Sequence, residues 1–156
     1  MKVRKWNLDN DYNYLVKWWN QYEFGKVPKE CLPPDGIIIE ENNEPVCAGG
    51  LYRCTGTNFG FMEWIVVDKN TSFKIAHKAL TLCIDNIIQL AKENNIQLIF
   101  TVTAEKALHK RYIKYHGMKI AENNVKTFVK DLSDSYKNFD WISDDIEIEK
   151  QKNRNI

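Results

Sequence analysis

A chain of 156 residues, 44% hydrophobic and 28% charged, is long enough to bury a core as one domain and too apolar for global disorder. Its 22 basic and 21 acidic residues leave a formal net charge of +1, which gives no reason to expect general nucleic-acid binding. No apolar run reaches the roughly 18 residues of a membrane span, and no apolar signal core follows the basic start Met1-Lys2-Val3-Arg4-Lys5-Trp6. The four cysteines, at 31, 47, 54 and 83, form no C-x-x-C pair, and His77, His109 and His116 add no ligand cluster. Reduced thiols in a cytosolic protein, with no metal site, are the expectation.

In chain order, residues 3–8 read as a first strand. Asp9-Asn10-Asp11 signals a helix start, because these side chains accept from the free N–H groups of a first turn. Tyr12, Leu15, Trp18, Trp19 and Tyr22 then recur at steps of three and four. Such an aromatic stripe reads first as core packing. The sharper alternative is that Trp18, Trp19, Tyr22 or Phe24 lines a substrate cleft. Residues 25–36 hold Pro28, Pro33, Pro34 and two glycines and form a loop. Residues 37–67 read as a three-strand antiparallel meander with turns at 41–45 and 55–58. Gly49-Gly50 inside its second strand suggests a bulge or a close approach by another backbone.

The stretch from 59 to 102 reads strand, polar loop, helix, strand. Gly60-Phe61-Met62-Glu63-Trp64-Ile65-Val66-Val67 is apolar apart from one carboxylate. Asp68-Lys69-Asn70-Thr71-Ser72 breaks it, and a helix runs on to about Asn94 with Ala76, Ala79, Leu80, Cys83, Ile87, Leu90 and Ala91 on one face. Residues 96–102 are a second, nearly continuous apolar run. Two such runs around a helix argue for parallel neighbours in a covered sheet. The helix between them begins where an anion could sit on free N–H groups. By strand alternation Glu63 shares a face with Phe61, Ile65 and Val67, and desolvation there would raise its pKa, as a general base for an ammonium substrate requires. A glutamate paired with a lysine, or placed at a strand bulge, is the plainer alternative. A second amphipathic helix covers 104–115, with Ala107, Leu108, Tyr112 and Tyr115 as inward candidates, and Gly117 ends it. Residues 118–121 and 125–132 suggest a closing hairpin. From 133 to 156 the chain turns polar; Phe139, Trp141 and Ile142 could dock, and the last dozen residues are expected to be mobile.

This order of elements resembles the GNAT N-acetyltransferase fold over roughly residues 3–132. Locally, Leu32-Pro33-Pro34 with Gly36, Pro45-Val46-Cys47-Ala48-Gly49-Gly50-Leu51-Tyr52 and Met62-Glu63-Trp64 look like small phage-encoded members. His116-Gly117-Met118 is similar to the family's helix-end L-G-F motif. The resemblance implies an α+β fold: a mixed, mostly antiparallel sheet of six to seven strands with helices on both faces. A splayed parallel pair would lie at 61–67 and 96–102, within a domain of residues 1–132.

It also implies acetyl-CoA. Backbone of Ile65, Val66 and Val67 would pair with the pantetheine arm, and amides of Asn70, Thr71, Ser72, Phe73 and Lys74 would hold the phosphates. The loop departs from the family's Gln/Arg-x-x-Gly-x-Gly/Ala signature in having no glycine. Lys69, Lys74, His77 and Lys78 could substitute charge for backbone contact, or form a solvated basic face. Where many members place a tyrosine acid, four residues before the helix-end glycine, this chain has Ile113. Tyr112 and Tyr115 flank it on the helix.

The expected function is acetyl-CoA-dependent acetylation of a small-molecule or protein amine. Glu63 would be the base, Tyr112 or water the acid, and Trp18, Trp19, Tyr22 and Trp64 would line the acceptor side. The alternative is a catalytically silent GNAT-shaped module binding CoA or a protein partner. A nucleic-acid binder using Lys106, Lys110, Arg111 and Lys114 is a weaker third reading, since the net charge is near zero. No membrane partner is expected, and a homodimer stays open.

Overall fold

The structure is a computed structural model that describes residues 1–103, 105–122 and 132. Five strands lie in one sheet in sequence order: β1 (Lys2–Lys5), β2 (Asp35–Glu41), β3 (Glu44–Arg53), β4 (Phe59–Val67) and β5 (Leu98–Phe100). β1 to β4 pair antiparallel, and β5 joins β4 in parallel. Three α-helices complete the described fold: α1 (Leu8–Gln21), α2 (Phe73–Glu93) and α3 (Lys106–His116). This is the mixed α+β arrangement anticipated, with five strands among the described residues rather than six or seven. Residues 118–121 carry no strand. The second strand of the expected hairpin, and the 133–156 tail with Phe139, Trp141 and Ile142, lie outside the described residues apart from Leu132.

The sheet separates two cores because strand side chains alternate between its faces. On one face Ile37, Ile39, Cys47, Leu51 and Met62 meet Ala79, Cys83, Ile84, Ile87, Leu90 and Ala91 of α2. On the other, Trp6, Ile38, Ala48 and Val66 meet Leu15, Trp18 and Trp19 of α1. Ile84 joins the expected inner face of α2.

Local chemistry sets the element ends. The β2–β3 turn passes through Asn42 (φ 53°) and Asn43 (φ 65°), a left-handed pair that asparagine tolerates and that matches the strand twist. α1 starts two residues earlier than Asp9-Asn10-Asp11 suggests: Asn7 is its cap, its side chain accepting from the Asp9 amide at 3.0 Å. Asp11 is instead buried, gripped by both Nη atoms of Arg4 at 2.7 and 2.8 Å, while Arg4 Nε reaches Glu40. This network ties β1, β2 and α1 together, and it holds Asp11 below the usual carboxylate range although burial pushes the other way. Gly117, at φ 64°, ends α3 as anticipated, with the Met118 amide closing back on Tyr112 O at 3.0 Å.

Cys47 and Cys83 are buried thiols, whereas Cys31 is exposed and Cys54 half-exposed; all four are free. No helix among the described residues is long and apolar enough to cross a membrane.

Candidate functional site

The site is made by an irregularity in β4. Gly50 pairs with Glu63 and Ala48 with Val66, so Trp64 and Ile65 together oppose Gly49. This is a β-bulge, with Trp64 at φ 61°. Gly49 is required there. A Cβ on it would lie 2.2 Å from Ile65 Cδ1 and 2.7 Å from Ile87 Cδ1. The Gly49-Gly50 pair therefore marks both a bulge and a close approach, by side chains rather than backbone.

The bulge resets the alternation, which corrects the expected face for Glu63. Ile65 and Val67 pack into the α2-side core, while Trp64 and Val66 join the α1-side core. Glu63 does not share a face with Ile65 and Val67, because the extra residue moves every later side chain to the opposite side.

β4 and β5 pair only at Phe59 with Leu98, Gly60 with Ile99 and Phe61 with Phe100. Continued, that register would match Glu63 with Val102. Instead the Val102 amide donates to the Glu63 carboxylate at 3.1 Å. The side chain takes the N–H that a longer ladder would use, and the two strands part. Burial pushes the Glu63 pKa up to about 7, outweighing the Val102 N–H, which favours the carboxylate.

Beyond this fork lies a slot of about 210 Å³. Ile65, Val66 and Val67 form one wall, Phe73, Ala76, His77 and Leu80 of α2 another, and Ala107, Leu108 and Arg111 of α3, with Glu105 just before that helix, a third. Tyr22 and Phe24, stacked at 5.3 Å, close one end. A second recess of about 220 Å³, beside Ile88, Ile96 and Met118, has Lys92 as its one titratable lining group among the described residues.

At the mouth, the loop before α2 is organised by Asp68. Its Oδ1 accepts from the Asn70 amide and from Gln21 Nε2, each at 2.9 Å, and its carbonyl accepts from the Thr71 amide at 2.9 Å. The Lys69 amide donates to Gln21 Oε1 at 2.9 Å. Asn70 and Thr71 are therefore not the free anion donors expected of them; the Asp68 carboxylate already satisfies the first and the Asp68 carbonyl the second. The amides of Ser72, Phe73, Lys74 and Ile75 have no partner among the described residues, and Ser72 makes no side-chain cap. These are the orphan donors of a helix start. Ile75 joins the set that sequence reading ended at Lys74. Phe73 is 87% exposed beside them; Lys74 and Lys78 are exposed, and Lys78 is not in the slot.

The aromatic stripe of α1 divides. Trp18 and Trp19 are fully buried in the α1-side core and cannot touch a substrate, which corrects that expectation: their rings are the helix's packing surface. Tyr22 reaches the slot. Trp64 is half-buried, edge-on to Trp19 at 5.8 Å, and its Nε1 donates to the Tyr52 hydroxyl at 2.9 Å.

On α3 the expected inward set changes. Leu108 packs on the core and Tyr112 is buried, but Ala107 and Tyr115 are exposed, and Arg111 is buried instead. Tyr112 lies outside the slot lining. Burial pushes its pKa to about 12, with Thr101 pulling it back and the Glu63 charge pushing it further up. The buried Arg111 also removes one member of the basic α3 face offered for nucleic acid. No metal-binding cluster occurs among the described residues.

No family model and no curated protein matches this chain. Solved structures do. A glucosamine-6-phosphate N-acetyltransferase from Arabidopsis thaliana superposes with a TM-score of 0.59 at 14% identity, over 83% of this chain and 98% of that one. A Mycobacterium tuberculosis protein in complex with CoA and NLQ gives 0.62 at 18% identity, over 81% and 76%. A GNAT-family acetyltransferase from Staphylococcus aureus gives 0.58 at 17% identity, over 80% and 89%. The chain has the fold of GNAT acetyltransferases.

Proposed function

We propose that this chain is an acetyl-CoA-dependent N-acetyltransferase that uses the fork between β4 and β5. The observation that carries the reading is the fork itself: two parallel strands pushed apart by a carboxylate, with an apolar slot beyond and unpartnered helix-start amides at its mouth. The slot is small for a whole nucleotide cofactor but suits a slender arm, with phosphates at its mouth by the amides of Ser72, Phe73, Lys74 and Ile75. Three structures of the same fold are named as acetyltransferases or hold CoA, which supports the choice of donor.

Bound acetyl-CoA would supply an activated thioester. Glu63 takes the proton that the acceptor amine loses as its nitrogen bonds to the acyl carbon. Water or Tyr112 would supply the proton that the leaving sulfur takes as its bond to the acyl carbon breaks. A pKa near 7 suits Glu63 to this work, because the base is available at neutral pH and can still accept. Backbone near Val66 would polarise the carbonyl, and positioning would supply much of the remaining acceleration. Tyr22 and Trp64, the two aromatics that keep surface, would meet the acceptor, a small-molecule or protein amine. The likeness to phage-encoded members rests on the short motifs quoted above. A cytoplasmic setting fits the exposed free thiol of Cys31.

The engaged amides of Asn70 and Thr71, and a Tyr112 buried outside the slot, favour a second reading: a CoA- or protein-binding module without catalysis. Calorimetry with acetyl-CoA decides the donor, with micromolar one-to-one binding expected; no heat at millimolar cofactor would leave only the protein-binding form of the second reading. For catalysis, Glu63→Gln should lower turnover at pH 7 by roughly 100-fold or more with unchanged cofactor affinity. Wild-type turnover should rise with pH through about 7 as Glu63 ionises. Equal turnover in the variant would remove Glu63 as the base.

A further inference from the structure

Arg111 is out of place on its helix. Its basic neighbours Lys106, Lys110 and Lys114 are exposed, but Arg111 is only 9% exposed and lines the slot. It has no carboxylate partner among the described residues. Nη1 donates to the His77 carbonyl at 3.1 Å and to Thr81 Oγ1 at 2.6 Å, and Nη2 contacts His77 Nδ1 at 3.0 Å. A guanidinium has only donors, so His77 Nδ1 must accept and the ring proton lies on Nε2. These bonds leave Nε–H and one Nη2–H without a partner among the described residues. A buried cation without a counter-charge is costly, and burial lowers the Arg111 pKa accordingly. The groups that act against this shift are Tyr115, Cys47 and Tyr112, none of them a carboxylate.

Glu105 lines the same slot but forms no ion pair with Arg111, so the counter-charge that Arg111 lacks is one an anionic ligand would supply. His77 sits one turn, about 5.4 Å, along α2 from Phe73 and the unpartnered amides. Arg111 is thus braced by α2 at the charged end of the same slot. The glycine-free loop cannot bring additional backbone to a phosphate, because its Lys69, Asn70 and Thr71 amides are already engaged.

We propose that Arg111, held by His77 and Thr81, is the residue that grips the diphosphate of a CoA-type ligand, a task for which the sequence offers amides of residues 70–74 and the side chains of Lys69, Lys74, His77 and Lys78, among them the two exposed lysines Lys74 and Lys78. This inference rests on the cofactor reading of the slot. The buried fork supplies fixed, paired donors, whereas the two lysines are solvated point charges.

The test is calorimetry of wild type, Arg111→Gln and Arg111→Lys against CoA and pantetheine, with melting temperatures measured alongside. Arg111→Gln should weaken CoA by about 10- to 100-fold, the range for charge-assisted hydrogen bonds, and leave pantetheine within about twofold. Arg111→Lys should recover only part of the loss. Undiminished CoA binding in Arg111→Gln, or equal loss for both ligands, would overturn the assignment while leaving the cofactor reading intact. A wild type that binds neither ligand would remove both. Should Arg111→Gln fail to fold, labelling of the wild type with an arginine-directed dicarbonyl reads the same contact. CoA, but not pantetheine, should protect the peptide carrying Arg111, and equal labelling with and without CoA would refute the proposal.

Discussion

The two ends of β4 are built from similar residues and do opposite things. Gly60 and Phe61 are held on both sides, antiparallel to β3 and parallel to β5, Phe59 pairs with β5, and the rings of Phe59, Phe61 and Phe100 meet at 4.8, 4.9 and 6.3 Å. Ile65, Val66 and Val67 lie beyond the last β5 pair and wall the slot. Nothing in hydrophobicity distinguishes these ends. The difference is one extra residue at the bulge and one carboxylate that takes the Val102 amide. The paired end is scaffold. The open end keeps backbone groups facing the slot instead of a neighbouring strand, which is a liability at a sheet edge and an asset at a binding site.

This contrast can be broken from either end. The largest effect is expected at the support behind the bulge. Trp19 is 1% exposed and packs edge-on against Trp64, so Trp19→Ala should destabilise the fold by about 3–5 kcal/mol in denaturant unfolding. A loss below 1 kcal/mol would mean that α1 does not hold the open end in shape.

Next is the slot. Ala76→Trp places an indole between α2 and Val67 and should weaken acetyl-CoA by about 100-fold, close to 3 kcal/mol, with little change in melting temperature. Unchanged affinity would place the cofactor elsewhere.

The third concerns the fork. The folded pKa of Glu63 is raised from 4.5 to about 7, so the stability tied to its protonated form is present below pH 4.5 and lost as pH rises through 7. Glutamine keeps an acceptor for the Val102 amide and cannot ionise. Glu63→Gln should therefore match wild type near pH 4.5 and gain about 3 kcal/mol on it by pH 8. A constant difference across that range would show that the carboxylate is not desolvated.

The smallest effect belongs to the paired end. Phe61 is 36% exposed, and Phe61→Ala should cost about 1 kcal/mol, because the ladder there does not depend on one ring.

The sequence alone carried the order of elements, the Asn42-Asn43 turn, the Gly117 stop, the irregularity at Gly49-Gly50 and the desolvation of Glu63. Each depends on near neighbours: a spacing of two or of three and four, a residue that tolerates positive φ, a carboxylate in an apolar run. The tertiary structure decided which face follows the bulge, because one inserted residue inverts every later position and leaves no mark in composition. It decided that Asn70 and Thr71 are engaged, since the loop is locked through Asp68 by Gln21, a residue 47 positions away. It also buried Trp18, Trp19 and Arg111, whose helices could have turned the same aromatics and the same charge outward. Periodicity defines a stripe; only the packing of α1 and α3 against their neighbours chooses which part of it meets solvent, the core or the slot.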